Sequence, residues 1–329
     1  MAAGYRTVDE LREECLRRAG EPQSSTSDFW TDSLAYMNKI QDILVLGGGV
    51  AVGRDLATSA GIYSQLVNQP MTDWYWLRKE GVLNTTKAIS TGTLALTNAS
   101  TAITFSSAPA ASVEGWRVKV TGEPTIPRVL THVAGSTSAT LDAEWVEATA
   151  TAATYACYKE KYSLASDFLR FSGAPQLHSN YLGTINVTSR EQMLTQMPMQ
   201  LSDEGEPNVA AMVAPKTIVF DTYDTNQGWR FEYDYIALPS KLVAGATPVL
   251  PEHHRVVLAV GAAMLIMFDK HDSRAENLAS EYREILARMN QEHRMALTSG
   301  SSTFGQFKCR QGGVLGRRAS QRYGERYLV

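Results

Sequence analysis

Cysteine is scarce in this chain: Cys15, Cys157 and Cys309 are the only three in 329 residues, they lie far apart, and none belongs to a C-x-x-C pair. Such a set supports neither a disulfide framework nor a cysteine-based zinc site, and it points to a reducing compartment. Histidine is sparse as well, with six residues. His253 and His254 are adjacent, and on a helix neighbouring side chains diverge by about 100°, so the pair is not expected to close on one ion. His271 and His293 read as solvated or capping groups. The longest apolar run, residues 256–268, falls short of the roughly 20 residues a membrane-spanning helix needs and reads as a buried helix. Arg6, Asp9 and Glu10 stand where a secretory signal would carry an apolar core, so no such signal is expected. The sequons at Asn84, Asn98 and Asn186 are then chance matches. Neither sign of charge is in excess: a formal net charge of −3 gives no overall field for nucleic acid or membrane, and any such contact must come from a local cluster.

Signatures of catalysis are missing too. No G-x-S-x-G elbow announces a nucleophilic serine, and Asp203, Glu204 and Glu206 sit in a Gly/Pro-containing loop where solvated acids are the default. The run Ile43-Leu44-Val45-Leu46-Gly47-Gly48-Gly49-Val50-Ala51-Val52-Gly53 imitates a strand entering a dinucleotide-binding glycine loop. That fingerprint needs a strand before the glycines, whereas Leu34, Met37 and Ile40 carry a helical period into the segment. A helix stop is the better reading. Catalytic, cofactor and metal residues are therefore all expected to be none.

The apolar fraction of 44% and charged fraction of 20% are those of a globular protein, and the length suits about two domains. Thr7-Val8-Asp9-Glu10 has the form of a capping box; a helix should follow and end near Gly20. A second helix carries Leu34, Met37, Ile40 and Leu44 on one face and stops at Gly47. A third is expected over 54–67, before Pro70, and an aromatic cluster, Trp74-Tyr75-Trp76, follows it. From about residue 88, Thr, Ala, Ser and Val dominate, and strands are expected over 93–97, 101–105, 116–121, 126–133, 137–141 and 153–159. This set suggests a small sandwich or barrel. A short helix near 189–197 and strands over 217–221 and 229–236 come next. On the last strand Trp229, Phe231, Tyr233 and Tyr235 share one side, more apolar surface than one side of a small domain needs, and they are candidate subunit or body contacts. After Pro248 and Pro251, helices over 256–268 and 274–297 should form an antiparallel pair. The last 30 residues lose all periodicity.

The reading is thus an α+β fold: a helical body with an inserted small antiparallel β domain and an extended basic tail. Its parts are 1–87, 88–162, 163–298 and 299–329. In the tail, Lys308, Arg310, Arg317, Arg318 and Arg322, with Tyr323 and Tyr327, could neutralise phosphates and stack on bases. The same groups could instead grip carboxylates of a protein partner, or the tail could merely solubilise. Its glycines favour a segment threaded along another surface.

The stretches WLRKEGVLNTT (76–86), ISTGTLALTNASTAITF (89–105) and GWRVKV (115–120) carry a resemblance, as do YSLASDFLRF (162–171), TIVFDTYDTNQGWRFEYDYIALPSKL (217–242) and LPEHHRVVLAVGAAMLIMFDK (250–270). In this order of parts the chain resembles the head-to-tail adaptor proteins of tailed bacteriophages, also called connector, neck or tail tubular proteins. The resemblance implies a structural, non-enzymatic virion protein made in the bacterial cytoplasm and sited in the neck. It would form a ring, commonly of twelve copies, under the portal, with double-stranded DNA passing through without specific binding during ejection. The tail residues named above would dock on the portal, and the β insertion would face outward or toward the next tail or nozzle component. No membrane or cofactor enters this reading. Other readings are a stopper, a tail-tube component or a host-contacting β module and, most remotely, a nucleotide-dependent enzyme.

Overall fold

The computed structural model describes residues 5–25, 28–47, 71–196 and 203–297. Helices and sheets both contribute, and one β-sheet is curled. The chain divides into two compact units: one comprises the described residues of Met1–Leu77 and Pro239–Val329, and the other is Arg78–Leu238. Among the described residues the α-helices are α1 (Val8–Ala19), α2 (Asp28–Leu46), α3 (Arg190–Gln196), α4 (Val256–Asp269) and α5 (275–297). All but α3 belong to the first unit. The stretch 54–67 and the tail from 298 onward lie outside the described residues.

α1 starts as its sequence dictates. The Thr7 hydroxyl accepts from the Glu10 N–H at 3.3 Å, and the Glu10 carboxylate accepts from the Thr7 N–H at 3.4 Å, so two end groups of the helix are satisfied reciprocally. α2 stops at Gly47, whose φ of +81° is open to glycine at little cost and whose N–H donates to the Ile43 carbonyl at 3.0 Å. Ile43 to Leu46 are therefore helical, and the strand that a dinucleotide fingerprint requires is replaced by the end of a helix.

α4 organises this unit. Every residue from Val257 to Met267 is buried, so no side of the helix over that span is left to water. α1 and α2 pack against it, and α5 contributes a buried stripe of Ala275, Ala279, Tyr282, Ile285, Met289 and His293 at helical spacing. The closest approach is at Gly261, where a Cβ would stand 2.8 Å from Cδ1 and 2.9 Å from Cγ1 of Ile40. Buried polar groups fasten the rest. The Arg12 guanidinium donates to the Trp30 carbonyl (2.5 and 3.2 Å) and to Asp9 (3.3 Å), and lies 4.0 Å from the centre of the Trp30 ring. Asn38 accepts from the Leu242 N–H at 2.7 Å and donates to its carbonyl at 3.2 Å, acting as a one-residue strand.

The second unit holds strands β1 (Arg78–Asn84), β2 (Leu94–Leu96), β3 (Ala102–Phe105), β4 (Arg117–Val120), β5 (Val129–His132), β6 (Ser138–Leu141), β7 (Ala150–Ala153) and β8 (Tyr155–Tyr158). These are followed by β9 (Lys161–Ser163), β10 (Phe168–Phe171), β11 (Gln176–Ser179), β12 (Gly183–Ser189), β13 (Asp203–Glu204), β14 (Val209–Ala214), β15 (Thr217–Phe220), β16 (Thr222–Tyr223) and β17 (Arg230–Ala237). The large sheet runs β1-β17-β11-β12-β14-β15-β9, with β10 also paired to β17. β1 and β17 pair antiparallel, with Arg78 opposite Ile236 and Asn84 opposite Arg230. β12 and β14 pair in parallel, which no hairpin can achieve, and their connection carries α3. Between β1 and β9 the chain forms a five-stranded sheet, β5-β6-β3-β2-β7, and a β4-β8 pair. These enclose a core of their own that includes Leu94, Phe105, Val118, Trp145 and Tyr155. The expected alternation over Trp116 to Val120 is borne out, with Val118 and Val120 buried and Arg117 and Lys119 half-exposed.

Two sequence expectations change here. Residues 78–84, taken as the end of a helical region, form β1, and residues 163–238 lie in the β-rich unit. The reason for the first is Gly81: the Tyr233 ring opposite it lies where a Cβ would stand 2.3 Å from the ring, so a glycine that weakens a helix instead seats an aromatic on a strand.

Glu160, just after β8, accepts from Arg117 at 3.0 Å and Arg128 at 2.8 Å and is largely buried. Burial pushes its pKa up, but hydrogen bonds and charge from Arg128 and Arg117 outweigh this and hold it below the ordinary 4.5. A depressed folded pKa means that the pair's full contribution is present above 4.5 and is lost as pH falls through the folded value. Glu160→Gln should destabilise the protein by about 2–3 kcal/mol at neutral pH, and should flatten the acid side of a stability-versus-pH curve measured by urea denaturation. Gly261→Ala should destabilise the helical unit by about 1–2 kcal/mol, because overpacking against Ile40 outweighs the roughly 1 kcal/mol helix preference for alanine. In an Ile40→Val background thermal denaturation should find that cost reduced.

Candidate functional site

The densest constellation of polar and aromatic side chains in the helical unit gathers where the chain enters α4 and where α5 nears its end. Trp74, Tyr75 and Trp76 come from the stretch before β1, with Tyr75–Leu77 forming a 3-10 turn. His253 and His254 come from a second 3-10 turn, Glu252–His254, set by Pro251. Glu292 and His293 are on α5. Trp74 is buried, and its indole N–H donates to the Leu44 carbonyl at 2.7 Å, satisfying a group near the end of α2 that lacks room for a helical partner. Trp74 stacks on Trp76 with ring centres 4.6 Å apart and meets the edge of His293 at 5.5 Å. Nδ1 of His293 accepts from the Tyr75 N–H at 3.3 Å.

His293 is thus buried among aromatics, which corrects its reading as a solvated or capping group. His271 is exposed, in a turn. The expectation for the adjacent pair also changes. In a 3-10 turn rather than a regular helix, the His253 and His254 rings lie with centres 4.0 Å apart, and their Nε2 atoms stand 2.9 and 3.0 Å from the same oxygen, Oε2 of Glu292. His254 is buried beside Trp76, at 5.7 Å between ring centres. Burial and the neighbouring His253 push its pKa down, against the pull of the Glu292 carboxylate.

The other residues singled out from sequence fall elsewhere. Trp229, Phe231, Tyr233 and Tyr235 are all buried in the second unit's own core. Phe231 stacks on Phe220 at 5.1 Å, the Tyr233 hydroxyl accepts from the Ala165 N–H at 2.8 Å, and the Tyr235 hydroxyl donates to Asp167 at 2.7 Å. Their apolar side is used up within the chain. It is not available to a second subunit, because β9, β10 and β15 supply the cover that a lone strand would lack. Lys308, Arg310, Arg317, Arg318, Arg322, Tyr323 and Tyr327 lie outside the described residues. The thiols of Cys15 and Cys157 are buried, which pushes both pKa values up to about 12 and leaves neither poised as a thiolate nucleophile.

The family model for the SU10 adaptor protein matches residues 126–303, more than half of the chain. The chain belongs to the SU10 adaptor protein family. It is therefore a structural adaptor protein of a bacteriophage. Among curated proteins nothing matches it. The part of this adaptor that the family model covers runs from just before β5 through α5, and so takes in His253, His254 and Glu292 but not Trp74 to Trp76. No helix among the adaptor's described residues is long and apolar enough to cross a membrane.

The Trp74 anchor can be tested directly. Trp74→Phe keeps an aromatic ring against Trp76 and His293 but removes the donor to Leu44. It should cost about 1–2 kcal/mol, read as a lower denaturation midpoint with β-unit structure unchanged by circular dichroism.

Proposed function

We propose that this protein is a head-to-tail adaptor whose copies form a ring, twelve in number, beneath the portal at the capsid vertex. The family match over residues 126–303 carries the reading, because it spans both the β-rich unit and the α4–α5 pair. In this reading the helical unit forms the ring wall around a channel for double-stranded DNA. The C-terminal tail, with Lys308, Arg310, Arg317, Arg318, Arg322, Tyr323 and Tyr327, docks on the portal. The β2–β8 region meets the next tail component.

Two physical considerations support it. A channel lined by excess positive charge would brake DNA through phosphate contacts, and the chain's formal net charge of −3 is compatible with free passage. The tail, with six Lys or Arg residues from Lys308 to Arg326 against the single acid Glu325, suits charge-assisted contacts with carboxylates of a protein partner. The virion neck is the location that follows.

Deletion of residues 300–329 should abolish binding to purified portal while leaving the denaturation midpoint of the rest unchanged. A truncated protein that docks with undiminished affinity would remove the tail from the interface.

A further inference from the structure

We propose that His253, His254 and Glu292 form a binding site for a divalent transition-metal ion, zinc being the best fit. The inference does not depend on the ring or portal reading.

The geometry carries it. Two imidazole nitrogens flank one carboxylate oxygen, Oε2 of Glu292, at 2.9 and 3.0 Å, and one donor atom from each of the three residues lies within 4.8 Å of the others. Two ligand atoms bound about 2.0–2.2 Å from a common ion, at angles between a right angle and the tetrahedral value, stand about 2.9–3.5 Å apart. The nitrogen–oxygen spacings already fall at the short end of that range. Two histidines and one carboxylate are also a donor set that suits zinc and its neighbours, with a position left for water, and that suits calcium or magnesium poorly.

A second observation is independent of spacing. Nε2 of His254 is buried and makes no hydrogen bond: although Oε2 of Glu292 is 3.0 Å away, the pair lacks hydrogen-bond alignment. An ordinary ion pair explains His253, whose Nε2 does bond to that oxygen, but leaves the buried ring unserved. A metal ion serves both rings and the carboxylate at once. Access is open, since the side chains of His253 and Glu292 are 58% and 43% exposed, whereas His254, at 4%, forms the floor.

The site joins two segments distant in sequence, the turn that launches α4 and the last described turns of α5. Bound metal would therefore clamp the ends of the antiparallel pair and fix where the chain leaves α5. The protein's role for the ion is structural, and no reaction is assigned to it.

The test uses the full chain, stripped with chelator, then titrated with zinc chloride by calorimetry and with cobalt chloride by visible absorption. One ion per chain is expected, together with a rise in the denaturation midpoint that grows with zinc concentration. His253→Ala and Glu292→Gln alter exposed side chains and should leave the metal-free fold intact. Each should weaken zinc binding at least about tenfold, by analogy with the 10–100-fold losses from merely supporting groups, and should abolish the midpoint shift. Absence of saturable binding by the wild type, or unchanged affinity in both variants, would overturn the assignment.

Discussion

A helix with no wet side is the constraint on which the first unit rests. From Val257 to Met267 every side chain of α4 must be covered, and one neighbour cannot cover a cylinder. The chain meets the demand from both ends: α1 and α2 come from the N-terminal part and α5 from the C-terminal part. Gly261 lets α2 come close enough for Ile40 to fill the space a side chain would take. Because these parts must meet, the residues between 77 and 239 have to leave the helical unit and return to it. The second unit makes that inexpensive in backbone terms. Its first and last strands, β1 and β17, are hydrogen-bonded neighbours with Arg78 opposite Ile236, so its two ends are already together. The same device recurs one level down, where Ile89 bridges to Cys157 and closes the neck of the β2–β8 segment.

The aromatic strand changes what an adaptor of this kind has to offer a neighbour. Trp229, Phe231, Tyr233 and Tyr235 hold the large sheet together from within. Contacts between copies must therefore come from other surfaces. The polar work inside the protein follows the same rule of local satisfaction: Arg12 is consumed by Trp30 and Asp9, and Glu160 by two arginines. The His253, His254 and Glu292 cluster departs from it, which is why it stands out.

Much of this was legible in the sequence wherever the deciding signal is local. The capping box at Thr7, the apolar run of α4 and the alternation of β4 each depend on residues a few positions apart. The short helix near residue 190 and the strands β15 and β17 were legible for the same reason. What sequence could not supply is proximity across distance. β1 was hidden because Gly81 has value only once Tyr233 lies over it. The parallel pairing of β12 with β14 has no local signature. The two histidines were read as divergent because a regular helix was assumed, whereas Pro251 sets a 3-10 turn, and their shared acid lies 38 residues beyond His254. The family itself was legible, from stretches distributed over the chain rather than from any single motif, and the match over 126–303 bears that out.

Electron microscopy of the neck of the purified particle tests the adaptor account most directly. The account predicts a closed ring of this chain between the portal and the next tail component, with its helical unit toward the central channel and its C-terminal segment on the portal. Density for the chain at the tail tip or on the capsid face, with no contact to the portal, would contradict it.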